Sequence, residues 1–289
     1  MGPFEPVPVQ VRLPAKLQGT MFQKLRRNLE RLFLGRDPFY NDPYDDAAEQ
    51  FYAQIYLKHL FDRINTEFRQ QSLKILDLGC HTGRLSIPLA QAGHQITAID
   101  SSGFHIKLAQ RHAQEKGVRC RFLKGDGFRQ IRKMPADCFD LVLCTEVLYQ
   151  IPDFRDCLKE LIRLVRAGGF LATSHRTRFF YVAQALQKQD FDTARQILNH
   201  SEGPLWGSYF NWQTPDELRD LYRELGAASL TMRPIGIFTG NGDEGMARLC
   251  NLADIARERK EELFEIESQD SEEFCSLGRY LFVIGKREE

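Results

Sequence analysis

Apolar residues alternate between two rhythms through the middle of the chain. Short apolar-rich runs predict strands at Ile75–Leu78, Gln95–Ile99, Arg121–Lys124, Phe139–Cys144 and Phe170–Ser174, the first of the kind a strand buried on both faces needs. Between them apolar residues recur at helical spacing, predicting helices from Leu85 to Gly93, Phe104 to Lys116 and Phe154 to Val165. A longer helix is predicted ahead of the first strand, Asp45 to Phe68, with Phe51, Ile55, Tyr56, Leu60, Phe61 and Ile64 as its apolar stripe. Five rounds of strand then helix imply right-handed crossovers and a doubly wound parallel sheet.

The flanks read differently. Residues 1–20 hold Pro3, Pro6, Pro8 and Pro14 and predict an extended arm. Residues 21–34 carry Met21, Phe22, Leu25, Leu29, Leu32 and Phe33 at helical spacing, with Lys24, Arg26, Arg27 and Arg31 between them. That is a basic amphipathic helix, fit to cap the domain or to contact a membrane surface or partner. After the fifth strand come two helical segments, Tyr181–Gln187 and Asp192–His200. The aromatic stretch from Trp206 to Trp212 follows. Thr214-Pro215-Asp216-Glu217 then reads as a capping box with proline at the first helical position. A strand is expected at Ser229–Arg233, a turn at Gly240-Asn241-Gly242, a charged, solvated helix at Asp254–Glu267, and a closing strand over Tyr280–Lys286.

The junction after the first strand carries the chemistry. Asp77-Leu78-Gly79-Cys80-His81-Thr82-Gly83 is a strand end, a glycine-bracketed loop and a helix start. Gly79 permits a sharp turn and Gly83 close backbone approach, and the helix start should offer free N–H groups to a ligand. A dinucleotide fingerprint has a middle glycine where this chain has His81, and has no use for an acid at Asp77 facing a pyrophosphate. A dehydrogenase is therefore disfavoured. Two further acids close strands: Asp100, followed by Ser101, at a place where an acid hydrogen-bonds ribose hydroxyls, and Asp126 in Gly125-Asp126-Gly127.

Together these stretches resemble class I S-adenosylmethionine-dependent methyltransferases of the small-molecule type. The matching pieces are ILDLGCHTGR, the acid ending ITAID, GDG, FDLVLCTEVLYQIPD, and RAGGFLATS in place of the family's usual K-P-G-G turn. The resemblance implies an α/β fold: a doubly wound, seven-stranded, mostly parallel Rossmann-like sheet, order 3-2-1-4-5-7-6, the last strand antiparallel. It implies an arm and amphipathic helix over 1–43, then a methyltransferase domain over 44–289 with substrate-side inserts at about 177–212 and 240–276. S-adenosylmethionine is the implied cofactor and S-adenosylhomocysteine the product. Asp77, Gly79, Cys80, His81 and Gly83 would meet its methionine part, Asp100 and Ser101 the ribose, Asp126 and Gly127 the adenine, and Thr145 completes the set.

Composition narrows the acceptor. Lys plus Arg and Asp plus Glu both number 39 among 289 residues, which argues against a surface dedicated to nucleic acid. Seven cysteines without CxxC pairs suit free thiols in a reducing compartment, so a cytoplasmic location is expected. No apolar run spans a membrane, no secretory leader is read, and no metal site is expected. No N-P-P-Y-type motif follows the fourth strand, and Cys144 lacks the preceding proline of cytosine-C5 enzymes and reads as core. A small-molecule oxygen or nitrogen is the expected acceptor. An RNA- or protein-directed enzyme and a non-catalytic cofactor-binding protein are the alternatives.

Methyl transfer from a sulfonium is an in-line displacement that needs alignment and exclusion of water, and an oxygen nucleophile usually needs a base as well. His175, after the fifth strand, is the candidate base, with Glu146 and Tyr149 beyond the fourth strand beside the methyl position. Arg176 and Arg178 are candidate binders of an acidic acceptor. Tyr209 and Trp212 belong either to a lid over the acceptor or to a satellite core.

Overall fold

A computed structural model describes residues 46–69, 71–240, 250–252, 254–269 and 272–288, together with Asp42 and Tyr44. The chain divides into two units, Met1–Asp42 and Pro43–Glu289. The arm and amphipathic helix expected over 1–43, and the turn at Gly240-Asn241-Gly242 past its first residue, lie outside the described residues.

In the second unit α1 runs Ala47–Phe68, begun by Asp46, whose side chain accepts from the Ala48 and Glu49 N–H groups. Then follow β1 (Lys74–Leu78), α2 (Ser86–Gln91), β2 (Gln95–Asp100), α3 (Gly103–Glu115), β3 (Arg121–Lys124), α4 (Gly127–Ile131), β4 (Phe139–Cys144), α5 (Phe154–Leu164) and β5 (Val165–His175). Two helices, α6 (Arg178–Gln187) and α7 (Phe191–Asn199), lead to a hairpin, β6 (Glu202–Leu205) and β7 (Ser208–Asn211). Next come α8 (Pro215–Glu224), β8 (Ala227–Ile235), β9 (Thr239–Gly240), β10 (Cys250–Asn251), α9 (Lys260–Glu267) and β11 (Tyr280–Arg287).

Seven strands form one sheet in the order β3-β2-β1-β4-β5-β11-β8. β1 to β5 are parallel, and β11 runs antiparallel to both β5 and β8. With β8 as sixth and β11 as seventh, this is the expected 3-2-1-4-5-7-6 sheet. Alternate residues feed two cores, as the pleat requires. Ile75, Leu141, Leu143, Phe170 and Phe282 pack under Ile55, Tyr56 and Leu60 of α1. Leu76, Val142, Cys144, Leu171 and Leu281 pack under Leu158 and Leu161 of α5 and Leu218 and Tyr222 of α8. Cys144 is thus core. Thr214 and Glu217 form the capping box at the start of α8.

Three local expectations are corrected. The glycine pair expected to precede the fifth strand lies within it: β5 begins at Val165, not Phe170, and a register shift between Phe139 and Leu141 of its partner accommodates Gly168 (φ 71°) and Gly169 as a bulge. The predicted solvated helix is shorter, and its Glu267 is fully buried. The Glu267 carboxylate accepts from the N–H groups of Ile237, Phe238 and Thr239 and from the Thr239 hydroxyl, tying down the turn after β8. The aromatic stretch is a hairpin whose tip, Trp206 and Gly207, takes positive φ.

Candidate active site

All five parallel strands point their carboxyl ends the same way, so the loops after them share one edge of the sheet. Two adjoining cavities open there, of about 290 and about 540 Å³. They meet at Gly79, His81 and Glu146, which line both. Asp77, Cys80, Thr145, Tyr149 and Arg176 line the smaller one. Asp100, Ser101, Asp126 and Gly127 line the larger.

The glycine loop is held from within. Gly79 turns at φ 81°, and a Cβ there would stand 2.3 Å from Val147 Cγ2. The N–H groups of Gly79 and Cys80 both donate to the Ile99 carbonyl, that of Gly83 to Cys80, and that of His81 to Asp100 Oδ2 at 3.0 Å. The loop's N–H groups are therefore largely used internally, contrary to the expectation of free donors. α2 begins only at Ser86, and Gly83 lines neither cavity. Gly83 instead serves packing: at φ 88°, a Cβ would meet Ile87 at 2.9 Å. His81 itself sits at φ 49°, a left-handed conformation histidine tolerates better than most residues. Its ring lies 3.6 Å from that of His105, whose Nδ1 is 3.3 Å from Asp100 Oδ1.

The acids differ in state. Asp77 is buried, which pushes its carboxyl up to about 6, while the Ser86 hydroxyl donating at 2.5 Å works the other way. Asp100 lies below the ordinary carboxylate range: burial acts to raise it, and His105 with the N–H groups of Ser102 and His81 outweighs that. Asp126 uses Oδ1 to cap α4 through the Arg129 N–H.

The wall of the smaller cavity is a charged cluster. Arg84 Nη2 donates to Glu146 Oε1 at 2.5 Å, and its Nη1 to the Glu49 carboxylate. Arg279 Nη2 stands 3.8 Å from Glu49 Oε1. Burial acts to raise Glu146, but Arg84, Arg279 and Arg176 outweigh it and hold the carboxyl low. Glu49 ends above its ordinary value, raised by burial and by the neighbouring Glu146 charge. Arg176 stands over the rings of Tyr280 (4.0 Å), Phe180 (4.1 Å) and Tyr149 (5.1 Å).

Four candidates lie elsewhere. His175 is fully buried on the opposite face of β5, its Nε2 3.0 Å from the Tyr222 hydroxyl and 2.9 Å from Thr173 Oγ1. Burial pushes it down to about 3. The expected base is therefore a neutral core histidine, because strand parity sends position 175 into the α5–α8 layer. Arg178 pairs with Glu217 at 2.8 Å and Ser201 at 3.1 Å, and Tyr209 donates to Glu202 at 2.6 Å. Trp212 is fully buried with Phe180, Tyr181 and Ile197, and its Nε1 donates to the carbonyls of Ile197 (3.0 Å) and His200 (2.6 Å). It belongs to a satellite core.

Sequence reasoning missed Glu49, Arg84, Arg279 and Tyr280. Arg84 stood inside the motif already singled out. Arg279 and Tyr280 reach the cleft because β11 is antiparallel, placing its start at the carboxyl ends of its neighbours, with Leu281 opposite His175.

A family model described as "Methyltransferase domain" matches residues 69–224, more than half of the chain. The chain belongs to the class I S-adenosylmethionine-dependent methyltransferases. Among curated relatives, the "Ubiquinone biosynthesis O-methyltransferase" of Rickettsia conorii is 28% identical over 141 residues, covering 48% of this chain and 47% of that protein. Its namesake from Caulobacter vibrioides is 38% identical over 109 residues, covering 37% and 43%. This methyltransferase chain thus spans about half the length of the curated relatives it matches. Among solved structures, magnesium protoporphyrin IX methyltransferase (ChlM) from Synechocystis PCC 6803 with bound SAH has a TM-score of 0.55 at 17% identity, covering 92% of this chain and 99% of that one. The [4+2]-cyclase SpnF has a TM-score of 0.52 at 16% identity, covering 93% and 94%. At such identities the likeness is one of fold.

The cofactor of this class fits the donor set. The cleft has an acid at or just past the end of each of β1, β2 and β3, all three hydrogen-bonded within the protein yet lining the cavities. Among the described residues no three His, Cys, Asp or Glu side chains gather to hold a metal ion, and no helix is long and apolar enough to cross a membrane.

Proposed function

We propose that this methyltransferase binds S-adenosylmethionine along the cleft and methylates an oxygen of a small molecule held in the smaller cavity. The observation that carries this reading is that Asp77, Asp100 and Asp126 line two adjoining cavities that share Gly79, His81 and Glu146. Asp100 takes the ribose hydroxyls, Asp126 the adenine amino group, and Asp77 with Cys80 and Thr145 the methionine end. The bound cofactor supplies an electrophilic methyl on a sulfonium. The protein's part is to hold the acceptor in line with it and exclude water. The names of the curated relatives support oxygen as the acceptor atom. The presence of a cyclase among the fold neighbours makes the cleft, and not the fold, the basis of the reading.

The base question takes a different form from the one the motif suggested. His175 cannot reach the cleft, and Glu146 is ion-paired with Arg84 and held below its ordinary value. The cations around the smaller cavity instead favour an acceptor oxygen that is already ionised. Tyr149 packs 6.0 Å from Tyr280 and 6.4 Å from Phe210, giving that cavity an aromatic side. We place the reaction in a reducing compartment, the cytoplasm, in keeping with free thiols at Cys80, Cys120, Cys138, Cys144, Cys157 and Cys275.

The test is transfer of label from methyl-tritiated S-adenosylmethionine to a panel of phenols and carboxylic acids, followed by solvent extraction. Extractable counts above the boiled-protein blank support the reading. Cofactor binding without transfer to any member would turn it toward a binding protein.

A further inference from the structure

Arg176 is a buried cation without a direct ion pair. It is only 6% exposed, yet no carboxylate lies within 4.0 Å of its guanidinium among the described residues. Of its five N–H donors, Nη1 donates to the Arg279 carbonyl at 3.2 Å and Nη2 to the Tyr280 hydroxyl at 3.0 Å. Its Nε has no partner. Three aromatic rings hold the group in place without neutralising it. A buried cation is costly unless it is paired, and Arg176 lines the smaller cavity.

Charge balance in the cavity agrees. Among the described residues that line it, Arg84, Arg176 and Arg279 face Glu49, Glu146 and Asp77. A bound cofactor adds a sulfonium, an ammonium and a carboxylate, one net positive charge. An anionic acceptor offsets that charge.

We propose that the methyl acceptor is an anion, a small carboxylate-bearing molecule whose carboxylate pairs with Arg176. This rests on the reading of the cleft as a methyltransferase site. Arg176 is then a binding and specificity residue: it anchors the acceptor against the Tyr149–Tyr280 wall and takes no part in the displacement itself. The carboxylate of the cofactor is a second source of the same chemistry, and the test separates the two.

The experiment is calorimetry on the full chain. S-adenosylhomocysteine is titrated first, and the saturated protein is then titrated with 3,4-dihydroxybenzoate and, separately, with catechol. The two probes share their hydroxyls and differ in one carboxylate. The expected result is binding of 3,4-dihydroxybenzoate at least about tenfold tighter than catechol, as a charge-assisted pair gives. Arg176→Gln should bring the two within about twofold while leaving S-adenosylhomocysteine affinity within about twofold. Equal affinity of the two probes for the wild type, or no measurable binding of the carboxylate, overturns the proposal, and neither depends on the variant folding. A carboxylate preference that survives Arg176→Gln overturns the role of Arg176. Weakened S-adenosylhomocysteine binding in that variant assigns Arg176 to the cofactor instead. Failure of the wild type to bind S-adenosylhomocysteine refutes the methyltransferase reading itself, a separate outcome.

Discussion

Arg84 is the residue on which the cleft wall depends, and replacing it with methionine tests that directly. Arg84→Met keeps most of the side-chain length and removes the cation that holds Glu49 on α1 to Glu146 after β4. Both carboxylates are left mostly buried, with side-chain exposures of 18% and 17%. Removing one partner from a buried pair costs about 3–5 kcal/mol. Arg279, 3.8 Å from Glu49, tempers this, so the lower end, about 3 kcal/mol, is expected. At about 2–4 °C per kcal/mol, the melting temperature at pH 7 should fall by about 6–12 °C.

Acidification gives a second readout with a definite sign. In the wild type Glu146 lies below its ordinary value, so its contribution is present above the ordinary carboxylate range and is lost as pH falls. Glu49, already raised, opposes part of this. In Arg84→Met both carboxyls lie above their unfolded values, so their contribution is unfavourable at pH 7 and is relieved as pH falls. Calorimetric melting of both proteins at pH 7 and pH 5 should therefore show a gap that narrows on acidification. A gap below about 1 kcal/mol at pH 7, or one that widens toward pH 5, would refute the reasoning.

Other outcomes follow from single positions. Trp212→Ala should cost about 3–5 kcal/mol and lower the melting temperature by roughly 6–20 °C while S-adenosylhomocysteine affinity stays within about twofold; an unchanged melting temperature would restore the lid reading. The ring nitrogens of His175, followed by NMR, should keep neutral-imidazole shifts down to about pH 5, and a titration near the ordinary 6.5 would show that the ring is not buried as described. Gly79→Ala should destabilise the protein by about 1–3 kcal/mol, because φ is 81° and the new methyl meets Val147; calorimetric melting indistinguishable from wild type would contradict the turn geometry.

How far the chain could be read from its residues depends on what local pattern carries. β3 and β4 match their expected bounds, and β1 and β2 differ by one residue, because short apolar-rich runs give way to glycine or polar residues where each strand ends. The strand-end acids were legible for the same reason. Parity was not: His175 and Arg176 are neighbours on opposite faces, and nothing in Ser174-His175-Arg176-Thr177 says which faces the ligand. Aromatic density was equally mute, since a lid and a satellite core need the same residues. The Nε1 bonds of Trp212 to Ile197 and His200 decide between them. Arg279 and Glu49 are over 200 residues apart in sequence and meet only through the antiparallel last strand and the packing of α1. Glu267 looked like one charge among many in a charged helix, and only the three N–H groups aimed at it mark it as buried structure.

The central claim is that the cleft over β1, β2 and β3 holds an adenosyl cofactor, and calorimetric titration with S-adenosylhomocysteine tests it most directly. Asp100→Asn is the companion variant, because asparagine keeps the shape and one oxygen for the Ser102 N–H while removing the charge. The account predicts saturable binding of S-adenosylhomocysteine by the wild type, none of NAD, and a loss of about 1.5–3 kcal/mol in the variant, ten- to hundredfold in affinity. Binding of NAD in preference, or S-adenosylhomocysteine affinity untouched by Asp100→Asn, would contradict it.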